Sequence, residues 1–494
     1  MWSRQGGWPD WRGACRNLQA NGVHRGTTPR LEHAMHKRLQ DTNLGTRAAL
    51  AAAVLLGSPA AGASPLAAGV LAHYIAVQAL AANRSVTSCA DDGSAGTLRA
   101  VIALAGSGDS IDLSGLPSID PACIDSTITL TQGEIAIPHN LTLQGPADAT
   151  LTIAAGGHNR VLNSTSTDLP NAYLQITSLT ISGGGYLSNH VGGCIMASGE
   201  VRLDGATVTD CFAYTPGGSG KYLGTAAGGG IFADSVTITN GSVVSGNTVK
   251  SGTLSLLLYG GGVYSIHDFS CTDSTISGNS AFGHGGGISA GGNISLTRCT
   301  LDSNLAAYGG GVFVSSTTAL LQVDQSTISG NTSSRGGGIN TRSPATISNS
   351  TIAFNSAQQS YGGGIQSSAN VAMVSTIVAR NRNDSGANAD IALASGKSLS
   401  GSNNLVMAIA SFPPGVVVSA SDPLLAPLGM RGGPTRTHAL LAASPAIDAG
   451  GNSRAFATDQ RGAGFAREVP TGKPDIGAYE RQLAEDEIFG NGFE

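Results

Sequence analysis

Few acidic side chains of this 494-residue chain stand at spacings that would bring them together for catalysis. Cleavage of a polysaccharide requires converging carboxylates, usually with calcium or a basic residue to act on the sugar acid. Asp273 precedes the phrase STISGN, and Arg298 precedes the related phrase CTLDSN. If such phrases stack, Asp273 faces Arg298, whereas Asp302 falls in another column. We therefore expect a surface ion pair and assign no catalytic residue; Asp273, Arg298 and Asp302 are the candidates for the alternative, a glycan-cleaving site.

A second set of side chains directly precedes a recurring glycine triplet. After Ala227 in the first copy, the set comprises Tyr259, His284, Tyr308, Arg335 and Tyr361. At the spacing of stacked repeats these side chains would form a ligand stripe that stacks on sugar rings or receives a partner protein. Alternatively, they only cover the glycine corner. All three tryptophans lie within residues 1–34, which weakens the case for a dedicated sugar platform.

Four acidic residues near the C-terminus lie among glycines and allow two interpretations. They are Asp448, Asp459, Asp475 and Glu480. Hard oxygen ligands on loops suit calcium, so the four are metal-ligand candidates. The interpretation that we favour is that they cap turns and pair with Arg436 and Arg461. No cofactor is expected.

The elements that would position these residues follow from an internal repeat. Three glycines and a β-branched residue recur at intervals of 24 to 32 residues, at 228–231, 260–263, 285–288, 309–312, 336–339 and 362–365. Between them runs the phrase STISGN or a relative of it, at 243–247, 274–279, 299–304, 326–331 and 350–355. Self-similarity at this period predicts stacked repeats. Units rich in Ser, Thr, Ile, Val, Asn and Gly favour short strands and turns over helices. The predicted fold is an all-β, right-handed parallel β-helix with coils about 4.8 Å apart.

Both recurring phrases have structural roles in such a fold. Glycines permit backbone angles at a tight corner that are closed to other residues. The asparagines that end the second phrase fall at another corner, where they can form an amide ladder. They are Asn247, Asn279, Asn304, Asn331 and Asn355. The isoleucines of STI, with Leu301, should form an apolar inner column.

Seventy glycines, 12% charged residues and 5% aromatic residues fit a turn-rich β-solenoid better than an ordinary α/β enzyme. Residues 1–63 hold eight of the 27 basic and three of the 32 acidic residues, so the rest of the chain has a net charge of −10. Without a basic stripe, nucleic acid is not an expected partner.

The beginning of the chain resembles an export signal with an upstream extension. Lys37, Arg38 and Arg47 precede an apolar run at 48–56, and residues 61–63 offer a small-residue cleavage site. We interpret residues 1–34 as an upstream extension from a misplaced start, 35–63 as a signal peptide and 64–84 as a linker or second apolar segment. An uncleaved membrane anchor is the alternative.

Six cysteines follow Met35, an even number that is compatible with disulfides in an exported protein. Cys89 and Cys123 form the expected pair, since both lie at the opening end of the solenoid. The other four cysteines could either pack as small apolar residues in the coil stack or form disulfides. They are Cys194, Cys211, Cys271 and Cys299.

Three stretches resemble known bacterial modules. TLRAVIALAGSGDSIDL, at 97–113, resembles the helix and first strand of the N-terminal CSLREA-type module, although Cys89 is displaced and Val101 replaces an acidic position. ISGNSAFGHGGGIS at 276–289 and IAFN at 352–355 resemble the polymorphic outer membrane protein repeat. GGPTRTHALL, SPAIDAG, TDQRG and DIGAYE, between 432 and 480, resemble the choice-of-anchor Q domain, and the last residues resemble acidic tails ending in IF-x-x-GFE.

Together these resemblances imply a surface-exposed or secreted β-helix protein of a Gram-negative envelope. The predicted helix and its cap span 85–405, with regular repeats over 192–381, followed by a C-terminal module at 406–480 and an acidic tail at 481–494. The expected function is non-catalytic display or adhesion by a monomer that binds a surface glycan or a protein. The alternatives are a polysaccharide lyase or glycoside hydrolase of the same fold, and a structural envelope component.

Overall fold

A computed structural model describes residues 81–482, except 158, 169–170, 187–190, 216–225, 253–257, 359–360, 387–388 and 470–471. The chain divides into two units, Met1–Ala79 and Leu80–Glu494, and all described residues belong to the second. The predicted extension and signal peptide, and residues 483–494 of the tail, lie outside the described residues.

The described chain winds into a parallel β-helix, as the repeat predicts. Most coils contribute one strand to each of three long sheets, and every strand pair within these three sheets is parallel. In the coil that follows the second glycine triplet, for example, the strands are Val263–Ser265, Phe269–Thr272 and Thr275–Ser277.

The bounds of the strands, sheet by sheet, are as follows. Sheet 1 contains Asn83–Ser85, Ser110–Asp112, Leu141–Gln144, Tyr173–Thr177, Glu200–Asp204, Ser235–Thr239, Phe269–Thr272, Ile294–Thr297, Leu321–Asp324, Ala345–Ser348, Val371–Val374 and Leu399–Ser402. Sheet 2 contains Thr127–Thr129, Thr152–Ala154, Thr180–Ser182, Thr207–Thr209, Val243–Ser245, Thr275–Ser277, Thr300–Asp302, Thr327–Ser329, Thr351–Ala353, Ile377–Ala379, Asn404–Val406 and Val417–Ser419. Sheet 3 contains Ile135–Ile137, Leu162–Ser164, Ile195–Ala197, Ile231–Ala233, Val263–Ser265, Ile288–Ala290, Val312–Val314, Ile339–Thr341, Ile365–Ser367 and Ile391–Leu393.

Smaller elements complete the fold. A short sheet between sheets 2 and 3 contains Gly185–Tyr186, Phe212–Thr215, Thr248–Ser251, Ser280–Ala281, Leu305–Tyr308 and Thr332–Arg335. Two strand pairs stand apart from it, the parallel Ala226–Ala227 with Leu258–Tyr259 and the antiparallel Gly429–Met430 with Arg436–Thr437. Within the described residues the helices are Leu98–Ala103 and the 3₁₀ turn Ile124–Ser126.

Alternation along each strand places one column of apolar side chains inside the coil. Ile276, Leu301, Ile328 and Ile352 occupy equivalent positions in sheet 2, and all are fully buried. In-register pairing therefore brings similar apolar side chains into contact from coil to coil, and most of the core is one continuous cluster.

A hydrogen-bonded asparagine ladder lies at the corner after sheet 2. The Nδ2 of each asparagine donates to the Oδ1 of the next, at 2.9–3.0 Å, through Asn247, Asn279, Asn304, Asn331, Asn355 and Asn381. The backbone N–H of each also donates to the same Oδ1, and the second Nδ2 proton reaches a backbone carbonyl of the preceding coil. Each buried amide is thus held by both of its neighbours.

The ladder ends in different groups. At its beginning, the Cys211 N–H donates to Asn247 Oδ1 at 3.1 Å, and Cys211 is bonded to Cys194. At its end, Asp390 Oδ1 accepts from both Asn381 N and Asn381 Nδ2, and its Oδ2 accepts from Ala408 N. A carboxylate is suited to this position because it accepts hydrogen bonds without having to donate one.

The glycine corner makes room for this ladder. Gly260, first of its triplet, has φ of +62°. Gly262, third of the triplet, does not have a positive φ. A Cβ at this position would lie 2.8 Å from the Gly287 carbonyl oxygen and 3.0 Å from Asn279 Cγ. The first glycine therefore supplies a left-handed turn, and the third allows the asparagine ladder to pack against the backbone.

A further corner joins sheet 1 to sheet 2 and is built on residues other than glycine. Asp273, Arg298, Gln325 and Asn349 all adopt left-handed backbone angles, with φ between 44° and 55°. The residue after each is buried and forms a second column, in which Ser326 Oγ accepts from Cys299 N and Ser350 Oγ accepts from Ser326 N. Sequence analysis missed this serine column.

The first coil begins earlier than expected. Asn83–Ser85 already pairs with Ser110–Asp112, so residues 83 and 84 belong to the β-helix and not to the linker. Leu98–Ala103 is a short helix whose first turn is capped by Thr97, and it buries Leu98 and Ile102 against the core. Its apolar face covers the opening end of the solenoid, where an uncovered core would otherwise meet water.

All six cysteines of the described residues are in disulfides. The pairs are Cys89–Cys123, Cys194–Cys211 and Cys271–Cys299, with sequence separations of 34, 17 and 28. The first pair closes the beginning of the solenoid, and the other two lie within the coil stack. Closing loops of this length stabilises a fold by about 3–4 kcal/mol each in the chain-entropy account.

The C-terminal module lies along sheet 2. The predicted boundary between the β-helix and this module, at 405/406, is wrong, because Val417–Ser419 still pairs with Asn404–Val406 of the β-helix. The contacts run over several coils. Thr327 Oγ1 donates to Gln460 Oε1 at 2.6 Å, and the Ala478 N–H donates to Thr351 Oγ1 at 3.1 Å. Outward-facing side chains of this part of sheet 2 are consequently buried as well.

No helix in the described part of the chain is long and apolar enough to cross a membrane.

Replacing Asn304 by Ala should destabilise the protein by about 2–4 kcal/mol, because the Asn279 amide and the Ile276 carbonyl would lose buried partners. The midpoint of urea unfolding measures this change. The matched control is Asn293→Ala, which removes an exposed amide whose oxygen accepts the Leu320 N–H. Equal destabilisation by both variants would contradict the role assigned to the ladder.

Candidate functional site

An aromatic column lies on the outer surface, formed by the residues that directly precede the glycine triplets. Tyr259, His284 and Tyr308 occupy paired positions in three successive coils. Their ring centroids are 5.0 and 4.9 Å apart, with interplanar angles of 17° and 14°. The rings are therefore stacked face to face along the helix axis.

Arg335 and Tyr361 continue the column. The Arg335 guanidinium lies 5.4 Å from the Tyr308 ring centroid and 4.3 Å from that of Tyr361, so it is held between two aromatic faces. Arg335 also pairs with Tyr308 in the short sheet. The structure thus brings all five residues of the predicted ligand stripe together.

A second aromatic column lies beside the first. Phe232 stacks on Tyr264 at 5.5 Å, Tyr264 contacts Tyr259 at 5.5 Å, and Phe313 contacts His284 at 4.4 Å. These three residues were missed, although a signal exists: each is the second residue of the strand after a glycine triplet, and strand alternation turns it outward. The two columns form a patch of seven rings with Arg335.

Stacking of the rings on each other determines which parts of each ring a ligand can contact. Both faces of His284 and Tyr308 are covered by neighbours within the column. A sugar ring cannot stack on a face that is already occupied, so these two residues present ring edges. The hydroxyl of Tyr308 and the imidazole edge are polar, which suits hydrogen bonding better than stacking.

Burial keeps His284 uncharged at neutral pH. Desolvation lowers the pKa of its imidazole, and the positive charge of Arg342 lowers that pKa further. Its buried Nδ1 has no hydrogen-bond partner. Burial likewise raises the pKa of the Tyr264 hydroxyl, with Tyr259 contributing. The only charged side chain within the patch is therefore Arg335.

The three catalytic candidates do not converge into a site. Arg298 donates two hydrogen bonds of 2.6 Å to the Asp273 carboxylate, and this interaction raises the pKa of the guanidinium. Asp302 is buried beneath the C-terminal module, where Arg436 Nη2 lies 2.5 Å from its Oδ1. Burial raises the pKa of Asp302 in spite of that arginine. The first pair is an ion pair at the corner, and the second joins the module to the helix.

Three of the four acidic candidates in the C-terminal module, Asp459, Asp475 and Glu480, accept hydrogen bonds from N–H donors. Asp459 pairs with Arg461 at 2.8 Å and accepts the Glu480 N–H, while Asp475 accepts the Asp448 and Arg481 N–H groups. Glu480 Oε2 accepts from Asp475 N at 2.8 Å and lies 3.4 Å from Arg467 Nη1. The carboxylates of these three residues therefore cap backbone N–H groups, and those of Asp459 and Glu480 also pair with arginines.

The expected pairing of the acidic residues with Arg436 and Arg461 was wrong for Arg436, and it omitted one buried arginine. Arg436 pairs with Asp302 of the helix and not with a carboxylate of the module. Arg467 was missed; it is fully buried beside Glu480. Arg461 lies between the rings of Phe465 and Tyr479, 3.9 Å from each centroid. Sequence alone does not distinguish a buried arginine from an exposed one.

The buried charges of the module do not balance when all are ionised. Asp459, Asp475 and Glu480 carry three negative charges against two on Arg461 and Arg467. Burial raises the pKa of Glu480 to about 8, and the neighbouring carboxylate of Asp475 adds to the effect. The proton on Glu480 makes the cluster neutral at pH 7.

The only group of possible metal ligands among the described residues comprises Cys89, Asp120 and Cys123. Both cysteines are in a disulfide, and Asp120 Oδ2 accepts the Cys89 N–H at 2.9 Å. Disulfide sulfur is not a thiolate, so this group is a structural staple and not a metal site.

The fold and this surface together define a disulfide-bonded parallel β-helix with an outward aromatic patch and a docked C-terminal module. No protein-family model matches the chain, and no curated protein matches its sequence.

Ionisation of Glu480 should weaken the fold as the pH rises. Its pKa is about 8 in the folded protein and close to 4.5 when exposed, so the folded state retains a proton that the unfolded state releases. The stabilisation is complete below about pH 4.5 and is lost as the pH rises through about 8. Melting temperatures measured from pH 5 to 9 should fall for the native protein and should change less for Glu480→Gln. The control is Glu468→Gln, an exposed residue of the same module; a slope equal to that of Glu480→Gln would contradict the assignment.

Proposed function

We propose that the protein is exported and works at the cell surface or outside the cell in display or adhesion, without catalysis. The observation that carries this proposal is the aromatic column, which extends one recognition face along successive coils from Tyr259 to Tyr361. Repeated groups at coil spacing suit an extended partner, because each coil adds a contact without a new fold. The partner is a surface glycan or a protein.

The disulfides support export. Three disulfides within one solenoid are typical of proteins from oxidising compartments and rare in the cytosol. The apolar run and small-residue site at 48–63 point the same way, as do the resemblances to surface modules of Gram-negative bacteria.

The carboxylates support a non-catalytic role. A glycan-cleaving enzyme needs carboxylates whose protonation is tuned beside an accessible cleft. Asp273 is neutralised by Arg298 at an outer corner, and Asp302 is buried under the module. Neither has a second carboxylate among its hydrogen-bonded partners.

Cells that export the protein should bind glycan-coated or protein-coated surfaces more strongly than cells without it. The purified protein should bind without releasing new reducing ends or unsaturated sugars, and Asp273→Ala should bind as the native protein does. Retention on coated plates and product assays on acidic polysaccharides measure the two properties. Product formation that Asp273→Ala abolishes would establish the lyase or hydrolase alternative. Absence of binding to every surface would favour a structural envelope component.

A further inference from the structure

A groove lies at the C-terminal end of the aromatic column, where the chain leaves the regular coil. Ile391–Leu393 is the last strand of sheet 3, and the segment that follows one coil later bridges it only through Ile409. The space left by the diverging chain has a volume of about 590 Å³, within the usual range of ligand sites. Its lining consists of Tyr361, Gln366, 391–399, 409–411 and Pro413.

Tyr361 supplies the wall of this groove that faces the column. Arg335 covers one face of its ring, and none of the described aromatic rings or cations covers the other. Tyr361 is the member of the ligand stripe that lines the groove, and the Arg335 guanidinium of the preceding coil holds one face of its ring in place.

The groove combines apolar and hydrogen-bonding groups. Its apolar side is formed by Ile391, Leu393, Leu399, Ile409 and Pro413, which are partly continuous with the core. Amide and hydroxyl groups come from Gln366, Ser395, Ser398 and Ser411. The Gly362 N–H donates to Gln366 Oε1 at 3.2 Å, which fixes that amide beside the Tyr361 ring.

The lining has one charged side chain, Lys397. Together with Arg335 behind the Tyr361 ring, it provides a second cationic group at this end of the column, in a protein of negative net charge. A pyranose ring with a carboxylate matches these features. Its apolar C–H face stacks on the aromatic ring, its hydroxyls pair with the amide and serines, and its carboxylate pairs with Lys397.

We propose that this groove binds the acidic end of a saccharide, with Tyr361 as the stacking platform and Lys397 as the carboxylate partner. The inference rests on the proposed binding function and names the class of ligand. An extended peptide added to the edge of sheet 3 is the competing occupant. The structure favours the saccharide, because Ile391–Leu393 is a strand of only three residues and Ile391 is already bridged by Ile409.

Binding of the purified full chain to an array of oligosaccharides tests the proposal. The array carries glucuronic, galacturonic and sialic acid ends and the corresponding neutral hexoses. The native protein should prefer the acidic ends, and the preference should weaken with added salt. Tyr361→Ala should bind at least about tenfold more weakly, whereas Tyr361→Phe keeps the ring and should bind normally.

Lys397→Gln separates the charge from the fold, because Lys397 is exposed and its replacement should not affect folding. This variant should lose the preference for acidic over neutral ends. Phe282→Ala is the matched control: it removes an aromatic ring that is 68% exposed but lies outside the groove, and it should bind as the native protein does.

Two results would overturn the proposal. Saccharide binding that survives both Tyr361→Ala and Lys397→Gln would place the glycan site elsewhere, and the adhesive function would still stand. Failure of the array together with groove-dependent binding of extended peptides would assign the groove to a protein partner. If neither glycans nor proteins bind the native chain, the proposed function itself fails.

Discussion

In-register stacking of coils is the constraint on which the rest of the structure depends. Each strand pairs with the equivalent strand of the next coil, so every corner must have the same shape in successive coils. A corner that deviates would shift all later strands, and a one-residue slip would turn apolar side chains outward. The buried asparagines fix one corner by joining each coil to the next through both side chain and backbone. The glycines fix the facing corner, since any Cβ at Gly262 would collide with the next coil or with the ladder.

This constraint explains why much of the fold is predictable from the sequence. A residue type that recurs at coil spacing has one structural role throughout, and the asparagines, glycine triplets and inner isoleucines all recur. The serine column was not predicted, although Ser326 and Ser350 open the same STI phrases. In those phrases only the isoleucines were assigned a role, as the apolar inner column. Phe232, Tyr264 and Phe313 were overlooked because sheet 3 alternates them with other residue types, such as Ser289 and Asn340.

The site was less predictable than the fold. The column of Tyr259, His284 and Tyr308 follows from spacing, but the stacking of each ring on the next depends on side-chain rotamers that spacing does not determine. The docking of the C-terminal module on the β-helix also could not be predicted from the sequence. Asp302 and Arg436 are 134 residues apart, and nothing near either of them indicates that the C-terminal module lies along sheet 2. The burial of Arg467 and the raised pKa of Glu480 likewise depend on contacts within the folded module that the sequence does not reveal.

The C-terminal module changes what sheet 2 can do. In an isolated solenoid the outward residues of this sheet would be solvated, yet Thr327 and Ser329 form buried hydrogen bonds to Gln460 and His438. Burial lowers the pKa of His438, so a neutral imidazole serves as part of the joint. The aromatic patch lies instead on sheet 3 and at the glycine corner, away from the docked module.

The two unlike ends of the asparagine ladder have a consequence for how such a protein varies. Between Cys211 and Asp390 each interior amide accepts from one neighbour and donates to the other, so all the interior rungs are equivalent. Within the ladder itself, a whole unit of about 25 residues can be added or removed without leaving an unsatisfied amide, and only the Cys271–Cys299 disulfide and the docked module restrict where that unit lies. The number of coils between Cys211 and Asp390 therefore sets the length of the β-helix, and a change in that number would alter the distance between its two ends.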